Sequence, residues 1–361
     1  MNRKALIAMS GGVDSSVAAQ EMQRAGYDCA GVTMRLYRSS DLGLACHKSC
    51  CAESDAEDAE FVCSQLGIPH ELLDYTGLFR VQVIQRFADE YARGRTPNPC
   101  IDCNLFMKFE ALLDEALARG FDVLATGHYA RISRDPANGR WQLRKAADES
   151  KDQSYVLYML TQRQLARLRF PLGELRKSEA RQLAEAGGLV TAAKRESQDI
   201  CFVPGGDYAA FLEQWTGKAC PPGDILDREG RVLGRHRGAI RCTVGQRRGL
   251  GLAAGEPVYV LDKDMGANTV TVGPEEALYS GGLTAAAFHW LSIPEPAGPL
   301  RVHAMTRYRQ KEFAATAVPL PGRRLRLDFD APQRAVTPGQ AVVLYDGDLV
   351  LGGGTIEAAI K

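Results

Sequence analysis

The stretch Ala5-Leu6-Ile7-Ala8-Met9 runs directly into Ser10-Gly11-Gly12-Val13-Asp14-Ser15-Ser16. The first five side chains have almost no polar surface and read as a buried parallel strand. Two glycines then let the backbone turn tightly and come close to a ligand. From Ser15 onward Val17, Ala18, Ala19 and Met22 recur at helical spacing until Gly26. Strand, glycine turn and helix N-terminus aim unpaired N–H groups and a positive dipole end at one point, the place where a phosphate binds. Ser10, Asp14, Ser15 and Ser16 surround the glycines with groups able to bond oxygen or the water shell of a metal. An ordinary strand–helix turn has no need of them.

Outward from this loop, residues 1 to about 130 alternate strand and helix. Strands are expected at Ala5–Met9, Ala30–Met34, Glu71–Asp74 and Val123–Thr126, and helices near 16–25, 54–66, 79–93 and 104–119. That alternation predicts an α/β, doubly wound parallel sheet with ligands at the strand C-terminal ends, where Gly127-His128 falls. Asn138-Gly139 marks a hairpin between Ala130–Ile132 and Trp141–Leu143, and helical patterns resume near 162–168 and 178–186. From about residue 205 the runs shorten to strand length, at Gly238–Thr243, Pro257–Leu261 and Asn268–Val272. The last part alternates like a small β-barrel, with Leu300–Met305, Ala315–Val318, Leu325–Phe329, Ala341–Tyr345 and Leu349–Leu351 as strands and a tight hairpin at Tyr345-Asp346-Gly347-Asp348. Three domains are expected: an α/β domain over 1–204, a small β-rich domain over 205–282 and a C-terminal β-barrel over 283–361.

The 361 residues suffice for several cores, and Lys plus Arg balances Asp plus Glu at 44 each. No global field therefore draws in nucleic acid, and RNA binding has to come from local patches. One such patch is residues 228–248, where Arg228, Arg231, Arg235, Arg237, Arg241, Arg247 and Arg248 face one acid, Glu229. The apolar run behind Met1-Asn2-Arg3-Lys4 is too short for a signal core, and no run is long enough to cross a membrane, so a cytoplasmic protein with no membrane partner is expected. Ten cysteines in a reducing compartment are not a disulfide framework. Cys29, Cys63, Cys220 and Cys242 read as buried filler. Cys103 stands just ahead of a helix expected from Asn104, where the dipole would lower its thiol pKa.

The loop lacks the lysine of a Walker motif and resembles instead the PP-loop of ATP pyrophosphatases, whose Ser-Gly-Gly-x-Asp-Ser holds the pyrophosphate end of ATP. The segments Asn98-Pro99-Cys100-Ile101-Asp102-Cys103-Asn104, Ala125-Thr126-Gly127-His128-Tyr129, Asp152-Gln153-Ser154-Tyr155 and Ser197-Gln198-Asp199-Ile200-Cys201-Phe202 narrow the likeness. So do Thr243–Gly251, Arg307-Tyr308-Arg309 and Pro338-Gly339-Gln340. In this order they resemble the tRNA-specific 2-thiouridylases, the MnmA/TrmU family, over essentially the whole chain. The resemblance implies a PP-loop, adenine nucleotide alpha hydrolase-like domain. It implies ATP with Mg2+ on Ala8, Met9, Ser10, Gly11, Gly12, Val13, Asp14 and Ser15, with Met34 and Gly127 closing around the nucleotide. It implies tRNA contacts at Asn98, Pro99, Cys100, His128, Lys151, Asp152, Gln153, Arg307, Tyr308 and Gln340. Adenylation of the wobble uridine at its C2 oxygen would precede replacement by sulfur. Cys201 resembles the residue that takes a persulfide from a cysteine desulfurase or sulfur-relay protein. Cys103 resembles its partner nucleophile, with a Cys103–Cys201 disulfide as product and AMP and pyrophosphate released.

Cys100 departs from the family pattern, in which an Asp assigned as general base occupies that position. Cys100-x-x-Cys103 is also a metal-ligand spacing, so three alternatives stand: a [4Fe-4S] cluster on Cys100, Cys103 and Cys201, a zinc site, or metal-free sulfur chemistry. Cys46, Cys50 and Cys51 form a further cluster. Two rival functions are an adenylating synthetase that transfers ammonia, which has no use for paired cysteines, and a non-enzymatic RNA-binding sulfur carrier, which has no use for the phosphate loop.

Overall fold

The computed structural model of the chain describes residues 3–38, 51–194, 200–252 and 255–361. Cys46 and Cys50, and Ser197 to Asp199, lie outside the described residues.

Strand β1 (Lys4–Ala8) is buried on both faces because it sits at the centre of a five-stranded parallel sheet of order β3-β2-β1-β4-β7. Its neighbours are β2 (Asp28–Arg35), in register Leu6 with Ala30, and β4 (Val123–Thr126), in register Leu6 with Leu124. The edges are β3 (His70–Asp74) and the two-residue β7 (Leu168–Arg169). Helix α1 (Val13–Arg24) follows β1 and packs Val17, Ala18, Ala19 and Met22 inward, the face that the sequence spacing predicts. Helix α2 (Cys51–Leu66) covers β2 with Ala59, Val62 and Cys63.

The helix expected from Asn104 begins five residues earlier. Pro99 takes its first position, and the Asn98 carboxamide caps it by accepting from the Cys100 N–H at 3.1 Å. Three segments then run end to end: α-helical Pro99–Asp102, π-helical Cys103–Leu112 and α-helical Leu113–Ala118. Cys103 thus lies a turn inside the helix and not in front of it.

The C-terminal part is a closed antiparallel barrel of six strands, ordered β12-β15-β14-β13-β16-β17 and shut by β12–β17 pairing. The strands are β12 (Tyr279–Trp290), β13 (Leu300–Met305), β14 (Phe313–Leu320), β15 (Arg324–Arg334), β16 (Ala341–Asp346) and β17 (Leu349–Ile360). Hairpin β5 (Arg131–Arg134) and β6 (Trp141–Arg144) leaves the α/β part and extends this barrel sheet, Arg144 pairing with Leu349. Arg131 and Arg144 both bind the Asp348 carboxylate, at 2.8 and 2.6 Å. Along the chain between these two comes a four-stranded sheet ordered β10-β11-β8-β9, with a core of its own: β8 (Gly223–Leu226), β9 (Val232–His236), β10 (Tyr259–Asp264) and β11 (Thr269–Gly273). The strand expected over Gly238–Thr243 is instead a single 3-10 turn, Ala239–Arg241. Gly238 breaks the extended chain at φ +123°, and a side chain there would stand 2.6 Å from the Cys220 Cβ.

The barrel and the α/β sheet share one core. Leu6, Phe109, Leu112 and Leu124 from the first, Val343, Tyr345 and Val350 from the second, and Tyr155 and Leu157 between them form one buried cluster. Two units with a common core unfold together. Tyr345→Ala removes a fully buried ring from that cluster and is expected to destabilise the protein by about 3–5 kcal/mol, as for other large aromatics. The denaturant midpoint should fall as a single transition, monitored by tryptophan fluorescence and far-UV circular dichroism together; separate transitions for the two probes would refute a shared core.

Candidate active site: a phosphate loop and a thiol cleft

Gly11 adopts φ +68°, and a side chain on it would lie 2.1 Å from the Asp55 carbonyl oxygen, so the loop turns where only glycine fits. Ser15 and Ser16 hydroxyls both donate to the Gly12 carbonyl at 3.0 Å and set the start of α1. Gly127, at the end of β4, abuts the same start: an added Cβ would meet the Ser15 nitrogen at 2.8 Å. Met9 is buried, and its carbonyl accepts from Thr33 at 3.0 Å, while Ala8 and Met34 are half-buried beside it. The nucleotide-site candidates Ala8–Ser15, Met34 and Gly127 are therefore neighbours in space.

Two lysines that belong to none of the motifs reach this loop from distant segments. Lys177, the first residue of helix Lys177–Ala186, places Nζ 2.6 and 2.8 Å from the two Asp14 carboxylate oxygens. Lys194 donates to the Gly11 carbonyl at 2.9 Å and to Asp55 and Asp58 at 2.6 and 2.5 Å. Tyr129 adds a third bond to Asp14, its hydroxyl donating at 2.8 Å. Asp14 is thus held by two partners and does not project alone.

Cys103 and Cys201 come together because Phe202 is an anchor. Its ring is fully buried among Phe79, Phe87 and Phe211, with centroids 5.6, 5.4 and 5.3 Å away, and Cys103 packs against the same cluster. The Tyr37 hydroxyl donates to the Cys201 carbonyl at 2.6 Å and fixes the strand of chain that carries the thiol. Cys100, Cys103 and Cys201 are free thiols, and the charges of Cys100 and Cys103 act on Cys201. Cys100 and Cys201 keep exposed surface and Cys103 is half-buried, with protein atoms crowded behind all three. Burial therefore raises the thiol pKa of Cys100 and Cys103 and pushes Cys201 up to about 12. The lowered Cys103 pKa expected from the helix dipole is overturned, because the residue is neither in front of the helix nor well solvated.

Lys108 opposes this effect and acts on all three thiols. In a π-helix the bond repeat runs from residue i to i+5, so Lys108 stands one turn beyond Cys103 on the same side. Its Nζ lies 3.5 Å from the His128 Nε2, and the His128 Nδ1 is 2.7 Å from the Thr126 hydroxyl. Burial, reinforced by Lys108, drives the His128 pKa well below its usual value, so the ring is neutral. The i+5 spacing carries no helical signature in a sequence read at 3.6 residues per turn.

Among the described residues no three His, Cys, Asp or Glu side chains are grouped as a metal requires. Cys100, Cys103 and Cys201 as arranged do not fit a cluster or a zinc ion.

Residues 3–205 match the family described as tRNA methyl transferase HUP domain, 209–274 the tRNA methyl transferase PRC-barrel domain and 280–356 the Aminomethyltransferase beta-barrel domain. A tRNA-specific 2-thiouridylase MnmA of Symbiobacterium thermophilum is 49% identical over 99% of this chain and 93% of its own length. One from Roseiflexus castenholzii is 50% identical over 98% and 99%, and one from Acetivibrio thermocellus 47% over 98% and 99%. The chain belongs to the tRNA-specific 2-thiouridylases.

The residues of this thiouridylase expected to touch tRNA divide into two groups. Tyr308 is exposed at the thiol cleft, where its phenol feels Cys100, and Asn98, Cys100 and Lys151 also keep surface open to solvent. Pro99 and His128 are buried, and four others serve as braces. Arg307 donates to the Ala335 carbonyl and the Thr337 hydroxyl at 2.8 and 2.7 Å. Gln340 donates to the Thr96 carbonyl at 2.8 Å, Gln153 accepts from the Tyr129 N–H at 3.0 Å, and Asp152 accepts from the Ala146 N–H at 2.9 Å.

The arginine patch is less positive than its own segment suggests. Arg231 pairs with Asp227, Arg235 with Asp224, and Arg241 with Asp207 and Glu213, acids that lie outside residues 228–248. Among the described residues Arg228, Arg237, Arg247 and Arg248 have no ion pair. Arg247→Ala/Arg248→Ala should reduce the magnitude of the log–log salt slope of tRNA binding by about 0.7–0.9 for each phosphate no longer neutralised. Arg231→Ala/Arg235→Ala should leave it nearly unchanged; the reverse order in filter-binding titrations would move the RNA face elsewhere.

Thiol reactivity should follow the burial. With iodoacetamide and mass-spectrometric mapping, Cys201 should be alkylated more slowly at pH 7.5 than a free cysteine of pKa about 8.5, because the thiolate is the reactive form. A raised pKa keeps the thiolate scarce, so its rate should climb through pH 9 without a plateau, and Lys108→Met should slow it further. A plateau below pH 9 would show that the cation outweighs burial.

Proposed function

We propose that this enzyme replaces the C2 oxygen of the wobble uridine of tRNA by sulfur in two steps, an adenylation followed by transfer from a persulfide on Cys201. The observation that carries the reading is the short path between the two halves of the site. Gly127 touches the phosphate loop, His128 follows it in the chain, and Lys108, in contact with His128, acts on Cys103 and Cys201. A base between loop and thiols can be activated at one end and attacked from the other.

ATP enters as its Mg2+ complex, phosphates on the Gly11-Gly12 turn and the N-terminus of α1. Oxygen bound to C2 of uridine is a poor leaving group, and as an AMP ester it departs readily. Sulfur carried on Cys201 then reacts from a fixed position, which turns a two-body encounter into an oriented attack. The outer sulfur of the persulfide bonds C2 as AMP departs; Cys103, its proton lost to solvent, then attacks the Cys201 Sγ, which breaks the S–S bond, leaves the outer sulfur on the base and forms a Cys103–Cys201 disulfide. The resting thiols are protonated, so the reactive group at neutral pH is the persulfide, supplied by a cysteine desulfurase or sulfur-relay protein. Neutral His128 leaves the Lys108 charge directed at the sulfur side. The tRNA lies across Asn98, Cys100, Lys151 and Tyr308. Among the described residues no helix is long and apolar enough to cross a membrane.

Cys201→Ser should abolish thiolation and still permit tRNA-dependent formation of pyrophosphate, because activation precedes transfer. Cys63→Ser, at a buried position of α2, should retain both. Loss of pyrophosphate release in a folded Cys201→Ser protein would count against separate steps.

A further inference from the structure

We propose that Lys177 is the phosphate-handling cation of the adenylation step, held on Asp14 at rest and directed at the pyrophosphate leaving group when ATP is bound. This rests on the adenylation reading above.

The loop has no lysine of its own between Ser10 and Ser16, yet a cation stands at its centre. Both Asp14 oxygens accept from Lys177 Nζ, at 2.6 and 2.8 Å. The lysine is fixed from behind: its backbone N–H donates to the Asp148 carboxylate at 2.9 Å, and the ammonium lies 5.6 Å from the Tyr129 ring centroid. Its side chain is 10% exposed and that of Asp14 32%, so the pair is open to solvent on the carboxylate side. An unneutralised Asp14 beside a phosphate site would repel the nucleotide. A lysine that neutralises it is also within reach of any phosphate oxygen that arrives there. The Tyr129 hydroxyl remains on Asp14 at 2.8 Å, so the carboxylate keeps a donor when the ammonium turns to phosphate.

In the step itself the O2–Pα bond forms and the Pα–O–Pβ bond breaks, its electron pair leaving on pyrophosphate. The uridine N3 proton is released to solvent. Negative charge grows on the departing oxygen, and the ammonium donates a hydrogen bond there without transferring its proton. A preorganised donor at developing charge is typically worth about 10²–10³ in kcat.

The test measures tRNA-dependent pyrophosphate release from ATP in full-length enzyme with a substrate tRNA transcript. Lys177→Met should lower kcat by about 10²–10³ with a smaller change in the KM for ATP, and Lys177→Arg should recover part of the loss. Because Lys177→Met strands the Asp14 carboxylate, the second comparison is Asp14→Asn against Asp14→Asn/Lys177→Met, in which position 14 carries no charge to strand. The double variant should again be slower than its Asp14→Asn parent by a similar factor. Equal rates in that pair, whether or not Lys177→Met folds, would show a merely neutralising lysine and overturn the proposal. A wild-type enzyme that releases no pyrophosphate with tRNA present would instead overturn the adenylation reading, and the role of Lys177 with it.

Discussion

The run Ser154–Leu160, buried between the parallel sheet and the barrel, is the constraint on which both halves of the site depend. Its Tyr155 hydroxyl donates to the Ala341 carbonyl at 2.8 Å, and its Leu160 carbonyl lies 2.8 Å from the His289 Nε2, so the barrel is tied to it at both ends. On the other side the Asn104 amide, next to Cys103, donates to the Val156 carbonyl at 3.1 Å. Just ahead of the run Gln153 exchanges bonds with the Tyr129 backbone, and Tyr129 holds Asp14. A buried polar group without a partner is destabilising by about 1–3 kcal/mol, so each of these bonds resists displacement. One segment thereby sets the distance between phosphate loop and thiol helix. Gly353 completes the fit, since a Cβ there would stand 2.6 Å from the Tyr158 ring.

Charge in the site is arranged in opposing pairs. At the loop, Asp14 is matched by Lys177, and Asp55 and Asp58 by Lys194. At the thiols, burial works against ionisation and Lys108 works for it, with burial the larger of the two. Protonated cysteines are poor nucleophiles and resist adventitious oxidation. Neutral His128 next to a cation is the lower-energy partner, because a second positive charge 3.5 Å away in a buried site would be repelled strongly.

Long-range contacts set several residues in surroundings that the local sequence does not show. Cys103 is one turn inside its helix because Pro99 with the Asn98 cap makes a better start than Asn104. The arginine-rich segment meets acids at Asp207, Glu213, Asp224 and Asp227 that its own residues do not contain. Arg307, Gln340 and Gln153, which the family resemblance assigns to tRNA, are half-buried and each also bonds a neighbouring loop.

The sequence by itself determined the parallel sheet, the glycine turn with its helix and the barrel strands, because hydrophobic period and glycine placement are local properties. It also marked Cys103 and Cys201 through the segments around them. Only the tertiary structure decided which cations serve the loop and the thiols. Lys177 and Lys194 arrive from segments far along the chain, Lys108 through a π-helical repeat, and the hairpin β5–β6 joins a sheet formed by the C-terminus. Long-range ion pairs and helix-period shifts leave no periodic trace in sequence, since they depend on which surfaces the folded chain brings within a few ångströms.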